Sequence, residues 1–352
     1  MEPLTTQRLG GRHHPRFGYL AELDGVRAMA IGLVLAAHTL PRLYGGVVGV
    51  DVFFALSGFL ITSILIDELN VTGAISRKRF YIRRALRLFP ALAVLLVLVA
   101  VLQLVGRPSA LKDPFFHTEP LAFLVVVGYV SNWVIGLTHV QMGLFAHCWS
   151  LATEEQFYLV WPWLLARKLT SNRLVRVMLL VALAGVAVRF VVSAAGAAGY
   201  GVLRFEGLVF GSVLAIWIYR DDRTGVVAKC RSRLVGWGCI GTIMVVVLAG
   251  SSSANPTMLT VAYALTSLAT TVLIAHLLSR PKGVLPRIFR WPVAVAIGRI
   301  SYGIYLFHFP LVHWLSGRFS KMGTALVVWA ATGVIALFSW FVIERPALRR
   351  KA

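Results

Sequence analysis

The sequence predicts an all-α, polytopic helical membrane protein with about ten transmembrane helices plus one re-entrant or partial segment. Three observations carry this expectation. Of 352 residues, 58% are hydrophobic and only 14% charged, at a mean hydropathy of +0.77; a soluble domain carries about 25% charged residues. The apolar runs are mostly about 17 to 22 residues long, enough to cross a bilayer as helix, and lack the period-2 alternation of a barrel. Lys and Arg gather in short stretches between the runs, the positive-inside pattern.

The runs fall in order at 26–44, 47–66, 88–106, 121–138, 147–165, 174–195, 203–219, 235–250, 257–278, 292–315 and 323–343. Basic loops at Arg77–Arg87, Arg167–Arg176, Arg220–Arg233, Arg280–Arg290 and Arg345–Lys351, with the basic N-terminal tail, are expected on the cytoplasmic side. Loops near 45, 139–146, 196–202 and 250–256 carry no Lys or Arg and are expected outside. Loop 107–120 is charge-balanced (Arg107, Lys112, Asp113, Glu119) and also reads as outside. Segment 121–138 would then leave and return on one face, hence the re-entrant assignment; eleven spans with one loop breaking the charge rule is the alternative. The expected organisation is a tail at 1–22, a transmembrane domain at 23–345 and a tail at 346–352. Both termini are cytoplasmic in this scheme, and the membrane is the inner (plasma) membrane. Arg27 and His38 interrupt the first run, which argues against a cleavable signal peptide. No internal repeat is visible.

The formal net charge of +21 does not indicate nucleic acid, because the cations cluster between apolar runs. A basic face beside a bilayer can instead hold anionic headgroups or a phosphorylated cofactor. Cys148, Cys230 and Cys239 have no ligand spacing, so neither a disulfide framework nor a metal site is expected.

Arg27 and His38 stand eleven residues apart in the first run. That is three helical turns plus about 20°, so both lie on one face, roughly 16 Å apart along the axis. An ionisable group in such a setting costs about 2.5 kcal/mol or more, which marks a functional site by default. Asp51 opens the second run. His147, Ser150, Glu154 and Glu155 descend from the outer end of the 147–165 run, and Ser301, Tyr302, Tyr305 and His308 climb outward on 292–315. Polar groups at overlapping depth must face one another or water.

Leu23 to His38 reads LDGVRAMAIGLVLAAH, which resembles the Arg/Lys, ten residues, His signature of the membrane-bound acyltransferase family 3. GVDVFFALSGFLIT (49–62), RKRFYIRRALRLFPAL (77–92), HCWSLATEEQFYLVWP (147–162), RFEGLVFGSVLA (204–215), GRISYGIYLFHFPL (298–311) and FVIERP (341–346) follow in the family's order. The resemblance implies transfer of an acyl group, commonly acetyl, from acyl-CoA to a hydroxyl of a carbohydrate or glycosylated product. It is to the stand-alone type, without the C-terminal hydrolase-like domain that some members carry.

Chemistry then suggests roles. Acyl transfer to a hydroxyl needs a base near the operating pH, and histidine suits it; His38 is the expected base or transient acyl carrier, with Glu154 or Glu155 orienting the ring. Arg27 meets a donor phosphate or thioester oxygen, or else snorkels to headgroups. Within the cationic patch of Arg77, Lys78, Arg79, Arg83, Arg84 and Arg87, the family block favours Arg83 and Arg84 as donor-binding. Asp51 positions the acceptor or caps the second span. Trp149, by sugar stacking, and Tyr305 and His308 are the other acceptor-side candidates. The rival function, a proton-coupled secondary transporter, also uses buried His, Glu and Arg, but the halves show no matching broken segments.

Overall fold

A computed structural model describes residues 18–105, 118–138, 140, 142–166, 172–195, 203–220, 225–252 and 256–349. Most of the N-terminal tail, the last three residues, loop 196–202, and Arg107, Lys112 and Asp113 of the charge-balanced loop lie outside the described residues.

Among the described residues there are helices and no strands. Helix α1 (Ala21–Thr39) carries both Arg27 and His38. A 3₁₀ turn, Pro41–Val48, leads into α2 (Gly49–Thr72). Gly73 ends α2 at φ 74, a left-handed conformation that costs glycine nothing, and its N–H is donated back to the Leu69 carbonyl. Helix α3 (Arg77–Val105) overturns one expectation: the basic stretch 77–87 is not a loop but the first three turns of the following span. Its charges therefore sit on helix faces, and some point inward.

The 121–138 segment is broken into α4 (Pro120–Val127) and α5 (Ser131–Leu137), separated by Tyr129 at φ 52. A second 3₁₀ turn, Gly143–Cys148, feeds α6 (Trp149–Ala166). There follow α7 (Asn172–Ala194), α8 (Glu206–Arg220), the single turn α9 (Val226–Lys229), α10 (Arg233–Ser252) and α11 (Pro256–Ser279). The basic stretch 280–290 contains a short helix, α12 (Val284–Phe289). The 292–315 segment is two helices, α13 (Pro292–Arg299) and α14 (Ser301–Trp314), bent by 68° at Ile300. Helix α15 (Lys321–Phe338) runs through a π turn, Ser339–Glu344, into α16 (Arg345–Arg349).

Among the described residues, six stretches are long and apolar enough to cross a membrane: Arg42–Thr72, Arg77–Val105, Asn172–Ala194, Arg233–Gly250, Thr257–Ser279 and Lys321–Leu348; α13 with α14 makes a seventh if taken as one span. The expected count of about ten is not reached by length and apolarity alone. The reason is physical. Helix α1 carries Glu22, Asp24 and Arg27, α6 is interrupted by Glu154, Glu155 and Gln156, and α8 has only 15 residues.

Helix α2 is the axis of the molecule, with 67% of its most apolar stretch buried against 22% for the α15 stretch. Lipid offers apolar side chains as good a home as a protein core does, so packing in membranes relies on close contact through small residues. Helices α2 and α8 meet in this way. A Cβ on Gly58 would lie 2.1 Å from the Leu208 carbonyl oxygen, and one on Gly211 would lie 2.0 Å from that of Ala55. Two buried ion pairs lock the same region. Arg204 engages both carboxylate oxygens of Asp51, and Arg189 engages both of Glu206 at 2.5 and 3.0 Å.

Candidate functional site

A cavity of about 460 Å³ opens between α1, α2, α3, α6 and α14. Pockets that hold cofactor-sized ligands run from about 300 to 1,000 Å³. Its lining on α2 extends from Asp67 back to Val50, on the order of 25 Å of helix. Gly18 and Tyr19, both exposed, mark with Leu20 and Asp67 one end of the lining, taken as the mouth. At the far end the last lining residues are Val50 on α2, Leu88 on α3, Ser150 on α6 and Tyr305 on α14.

Three arginines line it. Arg27 is held by Asp24, one turn earlier on α1, with Nη1 donating to Oδ1 at 2.9 Å. Asp24 also accepts from the Tyr19 hydroxyl at 2.6 Å, and that hydroxyl accepts from Arg299 Nη2 at 3.0 Å. Partial burial, reinforced by the Asp24 carboxylate, pushes the Tyr19 phenol above its ordinary range, so the neutral donor form persists. Arg84 lies 3.5 Å over the Tyr158 ring while its Nη2 donates to Glu155 Oε1 at 2.8 Å. Arg87, one turn further along α3, is exposed into the cavity. Arg83 points elsewhere, 3.7 Å from Glu68, and does not line the cavity.

The adjacent carboxylates separate. Glu155 belongs to Arg84. Glu154 lines the cavity and hydrogen-bonds Ser57, whose hydroxyl also meets that of Tyr158.

Just beyond the closed end sit three imidazoles. His147 precedes Ser150 by one turn of chain, and His308 follows Tyr305 by one turn of α14. The rings of His38 and His308 are 5.0 Å apart and those of His147 and His308 are 5.6 Å apart. His147 stacks on Phe309 at 5.0 Å, and His38 meets the same ring edge-on at 5.4 Å.

Main-chain carbonyls orient all three rings. His38 Nδ1 lies 2.8 Å from the Val34 oxygen, His308 Nδ1 2.6 Å from that of Tyr305, and His147 Nε2 3.0 Å from that of Leu306. A carbonyl only accepts, so those nitrogens carry the protons. The lone pairs then fall on His38 Nε2, His308 Nε2 and His147 Nδ1. The last two are buried without a partner. His38 meets Val34, His308 and Phe309, and among the described residues it makes no hydrogen bond or ion pair with Glu154 or Glu155. No group of His, Cys, Asp or Glu fit to hold a metal ion occurs among the described residues.

The acceptor-side candidates divide. His308 and Tyr305 adjoin the imidazole cluster. Asp51 is fully buried, with both oxygens on Arg204, and makes no cap bond to the start of α2. Trp149 packs edge-on to Phe54 at 6.1 Å, with the Arg204 guanidinium 5.2 Å from its ring. Of the residues that sequence reasoning did not single out, Arg87 stands out. Its i, i+3 spacing from Arg84 puts both on one face once 77–87 is read as helix.

The chain matches an acyltransferase domain family over residues 20–345. It is 31% identical over 351 residues to the peptidoglycan O-acetyltransferase OatA of Listeria monocytogenes, covering 93% of this chain and 56% of that protein. It is 28% identical over 376 residues to the O-acetyltransferase OatA of Staphylococcus aureus, covering 100% of this chain and 60% of that protein. A putative O-acetyltransferase of Staphylococcus aureus is 30% identical over 363 residues, with 96% and 58% covered. The chain thus spans less than two thirds of the length of these relatives. No solved structure matches it.

Proposed function

Because this chain belongs to the membrane-bound acyltransferase family 3, we propose that it moves an acyl group, acetyl first among them, from acyl-CoA to a hydroxyl of a cell-envelope carbohydrate. The relatives' names make a peptidoglycan-type glycan the first acceptor to try. One observation carries the chemical reading: a cavity with three guanidinium groups ends one helical turn short of His147 and His308, and the His38 ring lies 5.0 Å from that of His308. Arg27, Arg84 and Arg87 meet the donor's phosphates, where forked guanidinium groups bind well. The pantetheine runs along α2, and the thioester lies toward the closed end. His38 Nε2 takes the proton of the acceptor hydroxyl as its oxygen attacks the thioester carbonyl. The C–S bond breaks, coenzyme A leaves as thiolate, and the proton on His38 restores the thiol. Asp51 acts at one remove, by holding Arg204 beside Trp149.

The mouth is cytoplasmic in this reading, as are both termini, and the membrane is the plasma membrane. Helices α1, α6 and α8 complete ten crossings, because their polar groups face the cavity or one another rather than lipid. The α4–α5 segment enters without crossing.

The test is transfer of radiolabelled acetyl from acetyl-CoA to glycan by the protein in lipid nanodiscs. His38→Ala is expected to lower the rate by about 10² or more, with coenzyme A binding and thermal unfolding retained. Full activity in that variant would overturn the assignment. Glycan or solute flux without covalent change would favour a proton-coupled transporter instead.

A further inference from the structure

The far wall of the cavity is unlike its middle. Around the arginines it is cationic; at the end it is built from Val50, Phe53, Phe54, Leu88 and Leu151, closed by the hydroxyls of Ser150 and Tyr305. The closure is held by hydrogen bonds. The Tyr305 hydroxyl lies 2.9 Å from the His147 carbonyl oxygen, which can only accept, so the phenol proton goes there. Ser150 Oγ lies 2.6 Å from the same hydroxyl and 3.5 Å from the same carbonyl oxygen. The phenol is pinned at its tip, and its ring is fixed edge-on to Phe53 at 6.4 Å. Behind the ring stand His147 and His308, each 5.6 Å away centre to centre.

We propose that Tyr305, pinned by Ser150 and the His147 carbonyl, is the residue that limits donor acyl length: its ring stops the acyl chain just beyond two carbons, while the acceptor hydroxyl reaches the thioester carbonyl from the side of His38. This rests on the acyl-CoA reading above. A phosphorylated donor anchored at Arg27, Arg84 and Arg87 points its thioester into the apolar end. Each methylene added to the acyl group then presses on a ring that cannot retreat without losing both hydrogen bonds and displacing two histidines. The sequence grouped Tyr305 with the acceptor. Its place at the closed end of the cavity assigns it to the donor side.

The experiment is a donor series of acetyl-, propionyl-, butyryl- and hexanoyl-CoA. Free thiol release is followed with saturating glycan acceptor on the protein in nanodiscs. One misplaced methylene changes kcat/KM by about 10-fold or more, so the wild type is expected to prefer acetyl over butyryl by at least that factor. Tyr305→Ala is expected to raise the butyryl-to-acetyl ratio by about 10-fold or more. Ser150→Ala keeps the ring but removes one pin. It is expected to move the ratio the same way by a smaller factor, and it carries the test if the larger truncation unfolds. A flat donor preference in the wild type, or a ratio that neither variant moves while turnover persists, overturns the proposal and leaves the donor reading intact. If the wild type consumes no coenzyme A thioester at all, the donor reading itself is overturned, and this one with it.

Discussion

Glu155 and Arg84 meet at 2.8 Å across α6 and α3, and this leaves Glu154 as the carboxylate that faces the cavity. Two adjacent residues on a helix point about 100° apart, so one can serve packing while the other serves the cavity. Different phenotypes follow.

Glu154→Gln, which changes a charge lining the cavity, is expected to lower acetyl transfer by about tenfold, with an unchanged unfolding temperature. Glu155→Gln is expected to keep the cavity lining but loosen α3. Its partner lies between the exposed and buried limits, so the cost is about 2 kcal/mol. Thermal unfolding in detergent alongside transfer assays checks both. Equal losses of activity at equal stability would mean the two carboxylates share one role.

Two neighbouring arginines of α3, Arg83 and Arg87, should also part company. Arg87→Ala, exposed into the cavity, is expected to raise the donor KM by about tenfold while kcat changes less. Arg83→Ala, which faces Glu68 at 3.7 Å, is expected to leave KM within about twofold. Donor titrations of both variants decide it. A larger KM effect at Arg83 would place the donor phosphates outside the cavity.

Asp51 and Arg204 should behave as one unit. Removing either charge strands the other where water does not reach, at a cost of about 3–5 kcal/mol. The double replacement Asp51→Ala with Arg204→Ala is therefore expected to cost much less than the sum of the single changes. A double-mutant cycle on thermal stability gives the coupling, and simple additivity would contradict a mutual pair.

Gly58 and Gly211 allow no substituent. Gly58→Ala would set a methyl 2.1 Å from the Leu208 carbonyl oxygen, inside contact distance, so α2 and α8 must separate. The expected cost is about 3 kcal/mol, read as reduced yield of monodisperse protein and a lower unfolding temperature. Gly73→Ala, with open space around its Cβ but φ 74, is expected to cost only about 1 kcal/mol.

Membrane helicity, the order of the apolar segments and the polar residues that interrupt them were legible in the sequence. The cost of a charge in lipid and the apolarity of a run are local properties of the chain. Arg27, Arg84, Glu154 and Tyr305 were named from their setting in apolar segments and from the family blocks, and they line a single cavity. Where the reading ran short, the cause was also local. The basic stretch 77–87 reads as a loop because charge dominates its composition, yet it is helix, since lysine and arginine are good helix formers.

What only the tertiary structure decided was rotation and partnership. Glu154 and Glu155 are indistinguishable as neighbours in a string. The turn of α6 against α3 assigns one to Arg84 and the other to the cavity. Asp51 reads as an acceptor contact or a helix cap until Arg204, far along the chain, closes on it. Tyr305 becomes the wall of a cavity rather than an acceptor contact only when α6 brings Ser150 to its hydroxyl. Such contacts depend on how five helices are rotated about their axes, and that is set by close backbone approaches such as Gly58 to Leu208 rather than by any one segment.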